Sequence, residues 1–343
     1  MTLRRILSPL FLSVLFFGSC GTDDSSSDDS RAVLIQSWGE GIILPWYRDF
    51  EQSAQQLQDA AAAFCLEPSA SVEPVQSAWI TTRKAWKRTE VIAFGPYKGE
   101  PLRIGPKVDF WPARPNSVDA VLSGTSEVSQ EDVASMGAAS KGFPAIEYLL
   151  WKTPGETDWL GRRCDYLTGL TSDLAVQARA MRQAWDPEEG DYLGAMLRSG
   201  TSDGAFPTLL AAAGEIPNRM AHTISNIRRD KLTGAESPFA LHAKDDILEN
   251  LYGIENLFEG TPTHPGTAQI LGTAYSDLVT DVRLAFDNAI AAIDALPAPL
   301  SENTDQNAVE AADAALRELH TLLSKGVLQA LGFVETFNDA DGD

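Results

Sequence analysis

LGRRCDYLTGLTSDLAVQARAMRQAW, residues Leu160–Trp185, decides the fold class. Its apolar residues Leu160, Cys164, Leu167, Leu174, Ala178, Met181 and Trp185 return at helical spacing. That spacing gathers them on one face of a helix, whereas a half-buried strand would alternate apolar and polar residues. Two later stretches repeat the pattern: Leu271, Ala274, Leu278, Val282, Ala285, Ala289, Ile293 and Leu296, then Val309, Ala312, Leu316, Leu319, Leu323 and Ala330. Strand patterns are scarce. The spacing therefore predicts an all-α protein with main helices near 31–66, 73–94, 129–152, 157–185, 204–232, 241–259, 267–296 and 303–331.

The helix ends have local causes. Pro74 suits a first helical turn, where its missing N–H costs nothing. Ser129-Gln130-Glu131-Asp132 resembles a capping box, and Pro154-Gly155 and Pro297-Ala298-Pro299 stop helices. Pro45 and Pro217 fall inside helical patterns and are expected to kink or split them. The acidic, glycine-bearing stretch Asp186–Gly204 is expected to join two consecutive four-helix bundles, 31–186 and 204–343, since the chain is long for a single core. Residues 95–128 carry Gly95-Pro96, Pro101, Gly105-Pro106, Trp111-Pro112 and Pro115 without a clear period. They form a long irregular loop in the first bundle, and such loops are often functional.

Working outward, one carboxylate stands in an apolar setting: Gly142-Phe143-Pro144-Ala145-Ile146-Glu147-Tyr148-Leu149-Leu150-Trp151. Burying an ionised carboxylate costs several kcal/mol unless a cation, a metal or hydrogen-bond donors compensate it. Glu147 therefore needs a partner. Glu90 precedes the irregular loop, and Arg103, Asp109, Phe110, Trp111 and Pro112 lie within it. Carboxylates beside an aromatic wall suit a hard cation such as iron or another divalent ion, or a cationic ligand. Glu147, Glu90 and Asp109 are the candidate metal ligands; Arg103, Trp111 and Glu236 are the candidate ligand-binding residues. The competing reading is an ion pair in which Arg88 or Arg103 neutralises Glu147 or Asp109.

Familiar catalytic signatures are missing: the sequence has no His-Glu-x-x-His, no Gly-x-Ser-x-Gly, no phosphate-cradling glycine loop and no Cys-x-x-Cys. His222, His242, His264 and His320 are not paired at helical metal-ligand spacing. No catalytic residue is assigned, and an enzyme is the less favoured expectation.

Arg4 and Arg5, the apolar run Ile6–Phe17 and Gly18-Ser19 read as an export signal over residues 1–19. Phe17-Gly18-Ser19-Cys20 resembles a lipobox, so Cys20 is a candidate lipid-anchored residue, with a soluble periplasmic protein as the alternative. Residues 20–30 are polar and are expected to be a disordered tether. With 27 Lys and Arg against 48 Asp and Glu, the net charge is −21. Such a chain repels nucleic acid and anionic membrane surfaces, which leaves membrane contact to the anchor alone. In an oxidising compartment Cys65 and Cys164 are expected to pair, closing a loop whose entropy contributes up to about 4–5 kcal/mol; two buried thiols are the alternative.

Several motifs occur together in one order. They are Trp86-x-x-x-Glu90 with Phe94-Gly95-Pro96, Arg103 with Asp109-Phe110-Trp111-Pro112, and Gly142 to Leu150. Then come Glu236-Ser237-Pro238-Phe239, Asn250-x-x-Gly253-Ile254-Glu255-x-Leu257-Phe258, and a tail Phe337-Asn338-Asp339-Ala340-Asp341-Gly342-Asp343. In these the chain resembles the imelysin-like proteins, which include an insulin-cleaving membrane protease and iron-regulated envelope proteins. The resemblance implies two helical bundles, a place in the bacterial cell envelope (the outer membrane favoured, on its periplasmic side) and a role in iron acquisition. The family motif Gly-x-His-x-x-Glu matches at Gly142 and Glu147, whereas Pro144 stands at the histidine position. Three functions follow. A monomeric protein binding a metal cation or small ligand in support of iron uptake comes first. A structural or partner-binding envelope protein is second, and a metallopeptidase third.

Overall fold

A computed structural model of the chain describes residues 23–68, 71–126, 128–152, 159, 161–232, 234, 236–303 and 305–333. Among these the architecture is all-helical, with a single isolated bridge between Gly260 and Pro265 as the only extended pairing. The principal helices are α1 (Asp23–Trp38), α2 (Leu44–Leu66), α3 (Glu73–Thr89), α4 (Gly142–Glu147), α5 (Arg162–Trp185), α6 (Leu209–Asn226), α7 (Ala243–Glu259), α8 (Ser276–Asp294) and α9 (Gln306–Thr321). The α5 seam buries Leu167, Leu174, Ala178, Met181 and Trp185 as its spacing requires.

α2 packs along both α5 and α3, and α3 packs in turn along α7. α8 packs on α9, and α1 lies against α6. The last turn of α2 is covalently tied to the first turn of α5 by a Cys65–Cys164 disulfide, Sγ–Sγ 2.05 Å.

Several expected boundaries moved. α1 begins at Asp23, so Asp23–Ser30 is helix where a tether was expected. Asp28, in this stretch, pairs with Arg31 at 2.7 Å. Pro45 sits in the first turn of α2, immediately after a π-turn over Gly39–Ile43 that absorbs the break. Pro217 lies inside an unbroken α6. The helix expected over 129–152 is divided into Gln130–Ser135, a 3₁₀ turn at Ala138–Ser140, α4 and a π-turn over Tyr148–Lys152. The cause is Gly142 at φ 71°, where a Cβ would stand 2.3 Å from the Val108 carbonyl oxygen. Only glycine tolerates that conformation and that approach. The irregular loop contains short helices at Gly105–Val108 and Pro115–Ser123. The capping box at Ser129 and the proline start of α3 are present. The export signal, Cys20 and the tail motif from Phe337 lie outside the described residues. No described helix is long and apolar enough to cross a membrane.

Candidate functional site

Two helices carry matching polar stripes. Arg83 and Lys87 on α3 and Glu90 in the 3₁₀ turn that continues it follow at spacings of four and three; on α7, Asp246, Asn250 and Gly253 do the same. The helices run side by side in one sense, so the stripes meet in ascending order. Gly253 makes the approach close, since a Cβ there would lie 2.3 Å from the Arg88 carbonyl oxygen. Arg83 donates from Nε to Asp246 Oδ2 at 3.0 Å, and Asn250 Nδ2 donates to the Lys87 carbonyl at 2.7 Å. Outside this seam, Lys84 pairs with Asp245 and Arg88 with Glu249.

The irregular loop and the turn ahead of α7 close onto this seam. The loop delivers Asp109, whose Oδ1 accepts from Arg83 at 3.0 Å and whose Oδ2 accepts from Lys87 at 3.2 Å. The turn delivers Glu236, whose two oxygens lie 3.0 Å from Lys87 Nζ and 3.4 Å from Lys231 Nζ. Glu90 accepts from Lys87 and from Lys231, each at 2.6 Å. Lys87 is wholly buried and touches three carboxylates. At 3.0 Å its contact with Glu236 Oε2 is an ion pair without the alignment of a hydrogen bond, and that buried oxygen keeps acceptor capacity.

The electrostatics follow from these partners. Burial by itself would push Glu90 up, but Lys231 and Lys87 outweigh it and hold the carboxyl at about 2. Burial likewise opposes ionisation of Asp246, and Arg83 beside it wins, keeping it below the usual carboxylate range. Burial and Arg83 both disfavour the Lys87 ammonium, while Glu236, Glu90 and Asp109 drive its pKa well above the ordinary value. Glu147 behaves oppositely. Burial pushes it up to about 7, only partly countered by the Ala240 and Phe239 backbone N–H groups and by Arg83. Its Oε1 accepts from both those N–H groups at 2.8 Å.

In front of the cluster lies a cavity of about 570 Å³, lined by Glu90, Tyr97, Arg103, Asp109, Trp111 and Glu236 among others. Five of the six expected site residues thus share one cavity. Arg103 stands at its exposed edge, 3.8 Å from Glu100. Glu147 does not line it, and its compensation comes from two backbone donors. Asp109 is neutralised by Arg83 and Lys87; Arg88 goes to Glu249 and Arg103 to Glu100. Arg83, Lys87, Lys231 and Asp246 are site residues that the sequence does not single out, and Asn250 appears in it only within a motif. The i, i+4, i+7 spacing of Arg83, Lys87 and Glu90 was the available signal for the first two.

Among the described residues no three His, Cys, Asp or Glu side chains are grouped to hold a metal ion. Glu90, Asp109 and Glu236 each already face an ammonium group, so a bare divalent ion would have to displace Lys87 or Lys231. Nor do Ser237, His242 and Asp246 assemble a hydrolytic triad. Ser237 donates to Asp246 at 2.6 Å, and His242 Nδ1 lies 3.2 Å from the same carboxylate, whereas a triad hydroxyl belongs on the imidazole.

Comparison with known proteins adds to this geometry. The sequence pattern of the imelysin (peptidase M75) family matches residues 43–325. Iron-regulated protein A of Synechococcus elongatus is 27% identical over 303 residues, covering 84% of this chain and 81% of that protein. The crystal structure of an imelysin-like protein from Psychrobacter arcticum superposes with a TM-score of 0.77 at 16% identity, over 90% of this chain and 98% of that one. That of an iron-regulated protein A precursor from Parabacteroides distasonis gives 0.73 at 18% identity, over 89% and 95%.

Proposed function

We propose, on the premise that this chain belongs to the imelysin family, that it is a non-catalytic binding protein whose cavity takes a small polar ligand in the service of iron handling. One observation carries the reading: Glu90, the Asp109 and Trp111 pair, and Glu236, from three separate segments of the sequence, line one cavity of about 570 Å³ over a pre-paired charged floor. Such volumes suit small molecules. Two similar proteins carry iron regulation in their names, which makes iron the first element to test. Because Lys87 and Lys231 already sit on the floor carboxylates, the reading takes iron as a complex bound through its own ligand atoms rather than as a bare ion. The Trp111 and Phe110 rings offer such a complex an apolar wall, with the Glu90, Asp109 and Glu236 side chains lining the cavity beside them. The basic and apolar character of Met1–Ser19 and the Cys20 motif support a place in the bacterial envelope, lipid-anchored or soluble in the periplasm.

The test is calorimetric titration and thermal unfolding with ferric citrate, with citrate alone and with ferrous ion. Ferric citrate should raise the melting temperature; at a hundredfold excess over Kd the gain is about 2.7 kcal/mol. Trp111→Ala and Glu236→Gln should each remove most of that gain while leaving the protein folded. Equal response in the wild type and both variants, or no response to any of the three, would sink the reading.

The mutual pairing within the charged floor favours one second reading, a structural or partner-binding envelope protein. Under it, Trp111→Ala is silent, and Lys87 variants lower stability with no ligand effect at all.

A further inference from the structure

We infer that Glu147 is a positioning residue for the cavity: its carboxylate clasps the turn over residues 236–241 by two backbone N–H groups and so sets Glu236 on the charged floor. The clasp rests on contacts alone; its consequence for binding rests on the function proposed above.

The turn has reason to need an anchor. Ser237 and Leu241 both hold positive φ, 44° and 58°, in the left-handed region that residues with a Cβ enter at a cost. A cost on the order of 1 kcal/mol at each persists only where surrounding contacts over-determine the backbone. Those contacts begin at Glu147, whose Oε1 gathers the N–H groups of Phe239 and Ala240 at 2.8 Å each. The residue after it contributes as well, since the Tyr148 ring meets the Phe239 ring edge-on at 5.2 Å. The next turn adds Lys152 Nζ, 5.9 Å from the same ring centre. On the far side of the turn Ser237 bonds to Asp246, and Glu236 reaches Lys87 and Lys231. The turn is therefore strung between α4 and the charged seam, and Glu147 holds the end remote from the cavity.

α4 is itself fixed in place. Trp79 Nε1 donates to the Phe143 carbonyl at 3.3 Å, and the Arg83 guanidinium lies 5.3 Å from the Phe143 ring centre. An acceptor on so rigid a support can impose a backbone conformation. Glu147 is 2% exposed and lies outside the cavity lining, so a role through the turn is open to it and ligand contact is not.

Hydrogen exchange of the full chain, read by mass spectrometry on the peptide spanning 236–242, tests the clasp without any ligand. Glu147→Gln keeps an acceptor oxygen and should leave exchange there close to wild type. Glu147→Asp retracts the carboxylate by one methylene, and Glu147→Ala removes it. Both should speed exchange of the 236–242 peptide by about tenfold, the loss of a buried hydrogen-bond acceptor, while α5 amides stay protected. Unchanged exchange in the Asp variant, or equal acceleration throughout the molecule, overturns the clasp. Ferric citrate titration of the same variants then reads the consequence separately. Weaker binding in the Asp variant with recovery in the Gln variant ties the clasp to the cavity. Undiminished affinity in the Asp variant cuts that tie.

Discussion

Glu90, where the charged seam meets the cavity, and Glu147, on α4 beyond the 236–241 turn, are both largely withdrawn from water, and they end at opposite extremes. Glu90 accepts from two ammonium groups and is held at about 2; Glu147 accepts from two neutral backbone amides and rises to about 7. Burial is the largest influence on each, and it acts in the same direction on both. What differs is whether the compensating donors carry charge. Neutral donors offset part of the desolvation cost, and full charges at 2.6 Å overturn it.

The contrast is broken most violently at Lys87. Lys87→Met strands Glu90, Asp109 and Glu236 without their central cation. The expected loss is about 3–5 kcal/mol, measured by urea unfolding at neutral pH. A loss under about 1 kcal/mol would show that Lys231 alone sustains the floor.

Acidity sharpens the comparison next. Because Glu147 titrates higher in the native state than its ordinary 4.5, its favourable contribution is complete below that value and is lost as pH rises through about 7. The expected decline is about 3 kcal/mol. Glu90 works in reverse: its contribution is present above 4.5 and lost as pH falls through about 2. Stability measured across this range should peak on the acid side of neutrality. Glu147→Gln should flatten the limb above pH 4.5 and leave the acid limb intact; a limb that keeps its slope assigns it to another group.

A smaller effect is expected of Lys231→Ala, which removes the second cation of the cavity floor and leaves Lys87 in place. About 1–3 kcal/mol should be lost, since Lys87 still holds Glu90 and Glu236. Arg103→Ala is the smallest change. Its partner Glu100 is 3.8 Å away and both are exposed, so unfolding should shift by less than about 0.5 kcal/mol.

The candidate site is half legible in the sequence. Glu90, Arg103, Asp109, Trp111 and Glu236 stand out because acids and aromatics in a proline-rich loop have few structural uses, and they do share the cavity. Glu147 stands out because a charge in an apolar run must be compensated. The identity of the compensators was not legible. Phe239 and Ala240 donate backbone groups, which every residue but proline possesses and which sequence therefore cannot mark. Lys87 and Asp246 look like ordinary surface residues of amphipathic helices until α3 and α7 come together.

The sequence by itself determined which segments coil. Helical periodicity, capping at Ser129 and the prolines at 74 and 297–299 act over a few residues and need no distant contact. It also read residues 95–128 as an irregular loop, and there no long helix forms, although short ones occur at Gly95–Tyr97, Gly105–Val108 and Pro115–Ser123. Only the tertiary structure decided which charges neutralise which, because Arg83, Asp109 and Asp246 are brought together by two glycines, Gly142 and Gly253, that let backbones approach. Ion pairing falls off within a few ångströms, so its partners are settled by packing and not by order along the chain.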